Sequence, residues 1–180
     1  MSGTPKRKPG RTPELALTVQ YGTRCAQLPS SAQLRRWVRA ALRRNANVTL
    51  RLVGEREARE LNLNYRGRDY ATNVLTFIYS QHRPLEGDIA ICAPVVAREA
   101  FRRGIRRDAH YAHLTIHGVL HLQGFDHVGA TAATHMESLE KRILARLGYA
   151  DPYLDVLSAR NKKRAKAATH ARGQSKRPPT

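Results

Sequence analysis

Leu15, Leu17, Val19 and Tyr21 alternate with small or polar residues, the period of a strand with one buried face. Ser31 stands as a helix N-cap, and Leu34, Trp37, Val38, Ala41 and Leu42 follow at helical spacing. Asn45 and Asn47 are expected to end that helix, and residues 48–53 (VTLRLV) to form a second strand. Gly54 turns the chain into a short helix with Ala58, Leu61 and Leu63 as its apolar positions, and residues 66–69 (RGRD) form a loop. Residues 73–79 and 88–92 are predicted as third and fourth strands around a turn at 84–87. The pattern then becomes helical. Pro94 suits a first turn, with Val95, Val96, Ala100 and Phe101 leading to Gly104. Asp108 can cap a long helix ending at Gly124. A last helix holds Met136, Leu139, Ile143, Leu144 and Leu147 before Gly148, with Thr134 and Glu137 at capping-box spacing. This order predicts a single α+β domain, a small mixed four-stranded sheet packed with about five helices.

Charge divides the chain into three parts. The 180 residues carry 32 Lys+Arg against 14 Asp+Glu, a net +18. Residues 1–13 hold four bases and no acid, residues 158–180 eight bases and no acid, so twelve of the 18 charges sit in the ends. We expect a disordered basic arm over 1–13, a domain over 14–157 and a disordered basic tail over 158–180, the ends binding polyanions. The first residues have no apolar core, so they do not form a secretory signal. A mean hydropathy of −0.54, with no run near the roughly 18 apolar residues of a spanning helix, excludes an integral membrane protein. Cys25 and Cys92 lie far apart with no CxxC, which points to a reducing compartment and two small buried hydrophobes.

Five of the eight histidines lie between 110 and 127. On a helix, His110, His113, His117 and His121 share an arc of about 80°, with Ala112, Thr115, Ile116, Val119 and Leu122 opposite. His113 and His121 are about 12 Å apart along such a helix, too far to share an ion whose bonds to nitrogen are about 2 Å. An i, i+4 pair can share one. Gly124 breaks the helix and lets His127 approach, so His117, His121 and His127 form H-x3-H-x5-H, a three-imidazole site with a position open for water. His110 and His113 are assigned to a solvated face or to support of that site, and His135 to the surface.

The extended metalloprotease motif HExxHxxGxxH shares both histidine spacings and the Gly. Here Gly118 replaces the Glu that serves as general base of peptide hydrolysis, which argues against an ordinary protease. A metal ion at three histidines can activate water and polarise a phosphoryl oxygen, and a guanidinium suits the charge that grows there. Arg66 and Arg68 are equal candidates on sequence grounds.

Four blocks carry a resemblance: residues 61–69 running into 72–77 (LNLNYRGRD, TNVLTF), 87–91 (GDIAI), 117–127 (HGVLHLQGFDH) and 147–153 (LGYADPY). Over about residues 14–155 the chain resembles the YbeY family of bacterial rRNA maturation factors, metal-dependent endoribonucleases specific for single strands. The resemblance implies a zincin-like α+β fold and one zinc ion on His117, His121 and His127, with water or substrate completing its shell. It implies a functional arginine at Arg66 rather than Arg68. It also implies action in 16S rRNA 3′-end maturation and ribosome quality control, in the cytoplasm and on no membrane. The partners it implies are single-stranded rRNA, the small ribosomal subunit and ribosomal proteins.

The expected mechanism places RNA between the 73–79 strand and the histidine helix, with Arg66 neutralising charge. Asn73 is a candidate to line the cleft, or to bond its own backbone at the strand start. Asp126 is a candidate base or supporting carboxylate, or a residue stabilising the turn after Gly124. Two rivals stand beside this reading. One is a ribosome-assembly factor with a structural metal; the other is a metal-dependent hydrolase of another substrate.

Overall fold

A computed structural model describes residues 12–126 and 129–154. The chain runs β1 (Leu15–Tyr21), α1 (Ser31–Ala41), β2 (Ala46–Val53), α2 (Glu55–Arg66), β3 (Val74–Ser80), β4 (Leu85–Cys92), α3 (Ala93–Arg103), α4 (Arg107–Leu122) and α5 (Ala130–Arg146). The strands form one mixed sheet in the order β1-β2-β4-β3. β1–β2 and β2–β4 are parallel, whereas β3 returns antiparallel to β4 and forms an edge. This is the α+β architecture expected, with four strands and five helices.

Alternation on β2 sends Ala46, Val48, Leu50 and Leu52 into the main core with Trp37 of α1, Ile116, Val119 and Leu120 of α4, and Leu139 and Ile143 of α5. A second cluster on Val53, Ala58, Leu75, Ala90, Cys92 and Val95 packs α2 and α3 beside the sheet. α4 is therefore the central helix. Gly118 lets it approach the sheet: a Cβ there would stand 3.0 Å from Ile89 Cγ2 and 3.2 Å from Thr76 Oγ1. The position that carries the protease Glu is thus a packing contact here.

Several local expectations are corrected. The N-cap of α1 is Ser30, whose Oγ accepts from Gln33 N at 3.3 Å while Gln33 Oε1 accepts from Ser30 N at 2.9 Å. Asn47 belongs to β2, and Asn45 instead accepts from Glu14 N through its side chain at 3.0 Å. Arg106, not Asp108, is the N-cap of α4, and Thr134 lies inside α5 with its hydroxyl bonded to Ala130 O. Leu63 and Phe101 are exposed, the latter at 89%, while Asn62 is buried. Among the described residues no helix is long and apolar enough to cross a membrane. The basic arm expected over 1–13 lies outside the described residues except for Thr12 and Pro13, as does the whole tail expected over 158–180.

Candidate metal centre

α4 ends at Leu122, and Gly124 takes φ +86°, the left-handed conformation that lets the chain leave the helix axis. The break is anchored. Gln123 is buried, donates through Nε2 to Ala41 O at 3.0 Å and accepts from Arg43 N at 2.8 Å, joining the end of α4 to the end of α1. Arg44 donates to Gln123 O at 3.1 Å and to Gln81 O at 3.3 Å.

One helical turn apart on α4, His117 and His121 bring their ring centroids to 4.6 Å, nearly perpendicular at 77°. Both line an open cleft of about 840 Å³ between α4, the edge strand β3 and the loop after α2. Arg66, Arg68, Asn73 and Asp126 line the same cleft. Arg66, Asn73, His117, His121 and Asp126, all singled out in the sequence, thus converge, with Arg68 beside them, and His127 lies outside the described residues. Among the described residues no group of three His, Cys, Asp or Glu could hold a metal ion.

His117 and His121 nonetheless fit one. Glu140 of α5 is 1% exposed, and its Oε1 accepts from His117 Nδ1 at 2.8 Å. Burial alone would raise the Glu140 carboxyl. Hydrogen bonds from His113, His117 and Tyr153 outweigh it and lower the pKa to about 2. An ionised carboxylate requires the proton on His117 Nδ1, which sets the tautomer with its lone pair on Nε2, the form a metal ligand needs. His113 Nε2 reaches the other oxygen of Glu140, Oε2, at 3.3 Å, and Tyr153 OH donates to that Oε2 as well. The sequence stripe therefore splits: His117 and His121 line the cleft, while His113 backs it from inside.

His110 is not on a solvated face. It is 3% exposed and meets Glu99 Oε2 at 2.7 Å. Glu99 in turn accepts from Asn73 Nδ2 at 3.0 Å, and Asn73 Oδ1 accepts from Val74 N at 2.7 Å. Both expectations for Asn73 hold at once, because its side chain lines the cleft and also bonds its own backbone. His135 is exposed, as expected, and packs edge-on to Phe125 at 5.7 Å.

Sequence reasoning missed Glu140, Tyr153, Glu99 and Asn62. Tyr153 and Asn62 lay within quoted blocks but without a role. Glu140 and Glu99 show only as polar residues in otherwise amphipathic helices.

Arg66 and Arg68 stand on the cleft wall with no ion-pair partner among the described residues, whereas on the same α2 surface Arg56 pairs with Glu60 and Arg59 with Asp69. The cleft thus joins an imidazole pair to two guanidiniums that form no ion pair among the described residues, an arrangement suited to an anion at a metal ion.

The comparisons with known proteins show the family. The family model described as Endoribonuclease YbeY matches residues 23–148. A protein of Aromatoleum aromaticum named Endoribonuclease YbeY is 57% identical over 142 residues, covering 77% of this chain and 92% of that one. Namesakes from Methylobacillus flagellatus (53% over 141 residues, 78% and 95% covered) and Nitrosomonas europaea (49% over 154 residues, 86% and 94% covered) are also similar. The solution structure of TM1509 from Thermotoga maritima shares the fold, at TM-score 0.50 and 24% identity over 76% of this chain and 97% of that one. The match runs from Thr23, just after β1, to Gly148 beyond α5 and takes in both walls of the cleft, and on that extent the chain belongs to the Endoribonuclease YbeY family.

Proposed function

We propose that this chain is a zinc-dependent endoribonuclease that cuts single-stranded rRNA at the α4 cleft. One observation carries the reading. The His117–His121 pair, 4.6 Å between centroids, shares its cleft with Arg66 and Arg68, neither of which has a carboxylate partner among the described residues. The names of the relatives support the reaction class. The family resemblance supports rRNA 3′-end maturation and ribosome quality control in the cytoplasm, with the small ribosomal subunit and its proteins as partners.

His117, His121 and His127 would hold the ion, which supplies Lewis acidity and an acidified water when bound. The protein's own groups do the rest. Arg66 donates to phosphoryl oxygens as charge develops on them. Asn73, fixed by Glu99, shapes the β3 wall against which the strand lies. Asp126 is the one carboxylate among the described residues lining the cleft, and is the proposed proton acceptor there.

Two outcomes test the reading. Chelation should abolish cleavage of unpaired rRNA and zinc should restore it; cleavage unaffected by chelation would refute the metal-dependent mechanism. A rival reading, a structural metal in an assembly factor, predicts loss of folding on chelation instead.

A further inference from the structure

Tyr70 has an unusual combination of order and exposure. Its backbone is pinned. Buried Asn62 donates through Nδ2 to Tyr70 O at 2.8 Å, and Tyr70 N donates to Arg68 O at 3.0 Å. Gly67, at φ +66°, closes α2 with its N–H on Leu63 O at 2.9 Å, and Arg68 N donates to Asn62 O at 3.3 Å. The turn that carries the ring is therefore fixed at both ends. Yet Tyr70 is 52% exposed and lines the same cleft as His117 and His121. The Arg68 guanidinium lies 3.5 Å from its hydroxyl, and Arg66 is beside it on the wall.

A large ring held open to water on an anchored turn loses little entropy when something covers it. The flanking cations require that the covering group belong to a polyanion. An unpaired nucleobase has a flat face for the ring and carries a phosphate on each side for the arginines. A paired base has both faces already stacked within the helix and cannot use the site. We propose that Tyr70 is a base-stacking platform that makes the cleft selective for unpaired RNA, with Arg66 and Arg68 on the adjoining phosphates. This deepens the nuclease reading and rests on it.

The test uses the full chain, zinc-loaded, with a short 2′-O-methyl oligoribonucleotide carrying one 2-aminopurine, single-stranded or annealed to its complement. Stacking quenches the probe. Salt is raised until the strongly basic ends contribute little. The wild-type chain should bind the single strand with quenching and prefer it to the duplex. Tyr70→Leu should weaken single-strand binding about tenfold, abolish the quenching and leave duplex binding and zinc content unchanged. Tyr70→Phe, which keeps the ring face, should retain both binding and quenching. Equal binding and quenching by Tyr70→Leu would overturn the stacking role alone. So would a loss shared equally by single strand and duplex, which would mark a structural role for the ring. A wild-type chain that bound neither form would refute the nuclease reading, and the platform with it.

Discussion

Glu140 Oε1 stands 2.8 Å from His117 Nδ1, although the two residues lie 23 positions apart on different helices. The bond decides which nitrogen of His117 carries the lone pair. It makes α5, which contributes no residue to the cleft wall, a support of the proposed metal ligand His117. Glu140→Gln keeps the volume but no longer requires the Nδ1 proton. Zinc affinity measured by chelator competition should fall about ten- to a hundredfold while the far-ultraviolet circular dichroism stays that of the folded chain. Unchanged affinity would show that the carboxylate only fills space.

The α4–sheet contact predicts a graded response to added methyl groups. At Gly118 a Cβ meets only side-chain atoms, Ile89 Cγ2 at 3.0 Å and Thr76 Oγ1 at 3.2 Å, whereas at Gly87 it runs into the Phe77 carbonyl oxygen, a backbone atom that cannot yield alone. Gly118→Ala should lose about 1–3 kcal/mol in denaturant unfolding, and Gly87→Ala should lose more. The reverse order would mean that the sheet gives way more readily than α4.

The buried amide of Gln123 closes the end of α1 through Ala41 O and Arg43 N. Gln123→Ala leaves both groups without that partner and should cost about 1–3 kcal/mol, read from the same denaturant curves. Because the residue precedes Gly124, the variant should also weaken zinc retention.

These examples show what was legible in the sequence. The His117–His121 pair and the Gly124 break were visible, because helical spacing and a left-handed glycine are local properties. So were the four strands, except that β4 begins at Leu85, inside the span expected as a turn over 84–87, because its first residues pair with β2. Glu140, Asn62 and Gln123 were not, because each is a polar residue whose burial depends on partners its own segment does not reveal. Glu140 is held by histidines 23 and 27 positions away and by Tyr153, and Gln123 by backbone groups of α1's end 80 and 82 positions away. Leu63 and Phe101 misled for the converse reason: they fit the apolar stripe of their helices, but the fold leaves both exposed. The Ser30 cap was displaced by one residue because Ser30 and Ser31 are chemically identical, and only the Gln33 register separates them.

Acid should weaken the fold through Glu99. The hydrogen bond from His110 holds its carboxyl below the ordinary value of 4.5, against the raising effect of burial, with help from Asn73 and the charge of Arg103. The unfolded chain therefore takes up this proton at a higher pH than the folded one. The stabilisation is complete above about 4.5 and is lost as pH falls through the depressed folded value. Denaturation midpoints of wild type and Glu99→Gln should differ at neutral pH and converge below 4.5. A gap that stays constant with pH would assign the difference to packing.

We propose that the α4 cleft is a metal-dependent RNA-cleaving site in which the histidines hold the ion and Arg66 serves the phosphate. The measurement that tests it most directly is cleavage of single-stranded rRNA by wild type, His121→Ala and Arg66→Ala, with zinc content and folding read on each sample. We predict one zinc and cleavage for the wild type. His121→Ala should stay folded with little zinc and no cleavage, and Arg66→Ala should keep its zinc while cleavage falls steeply. Equal cleavage by all three proteins would contradict the account, as would an unfolded His121→Ala chain, which would make the metal structural.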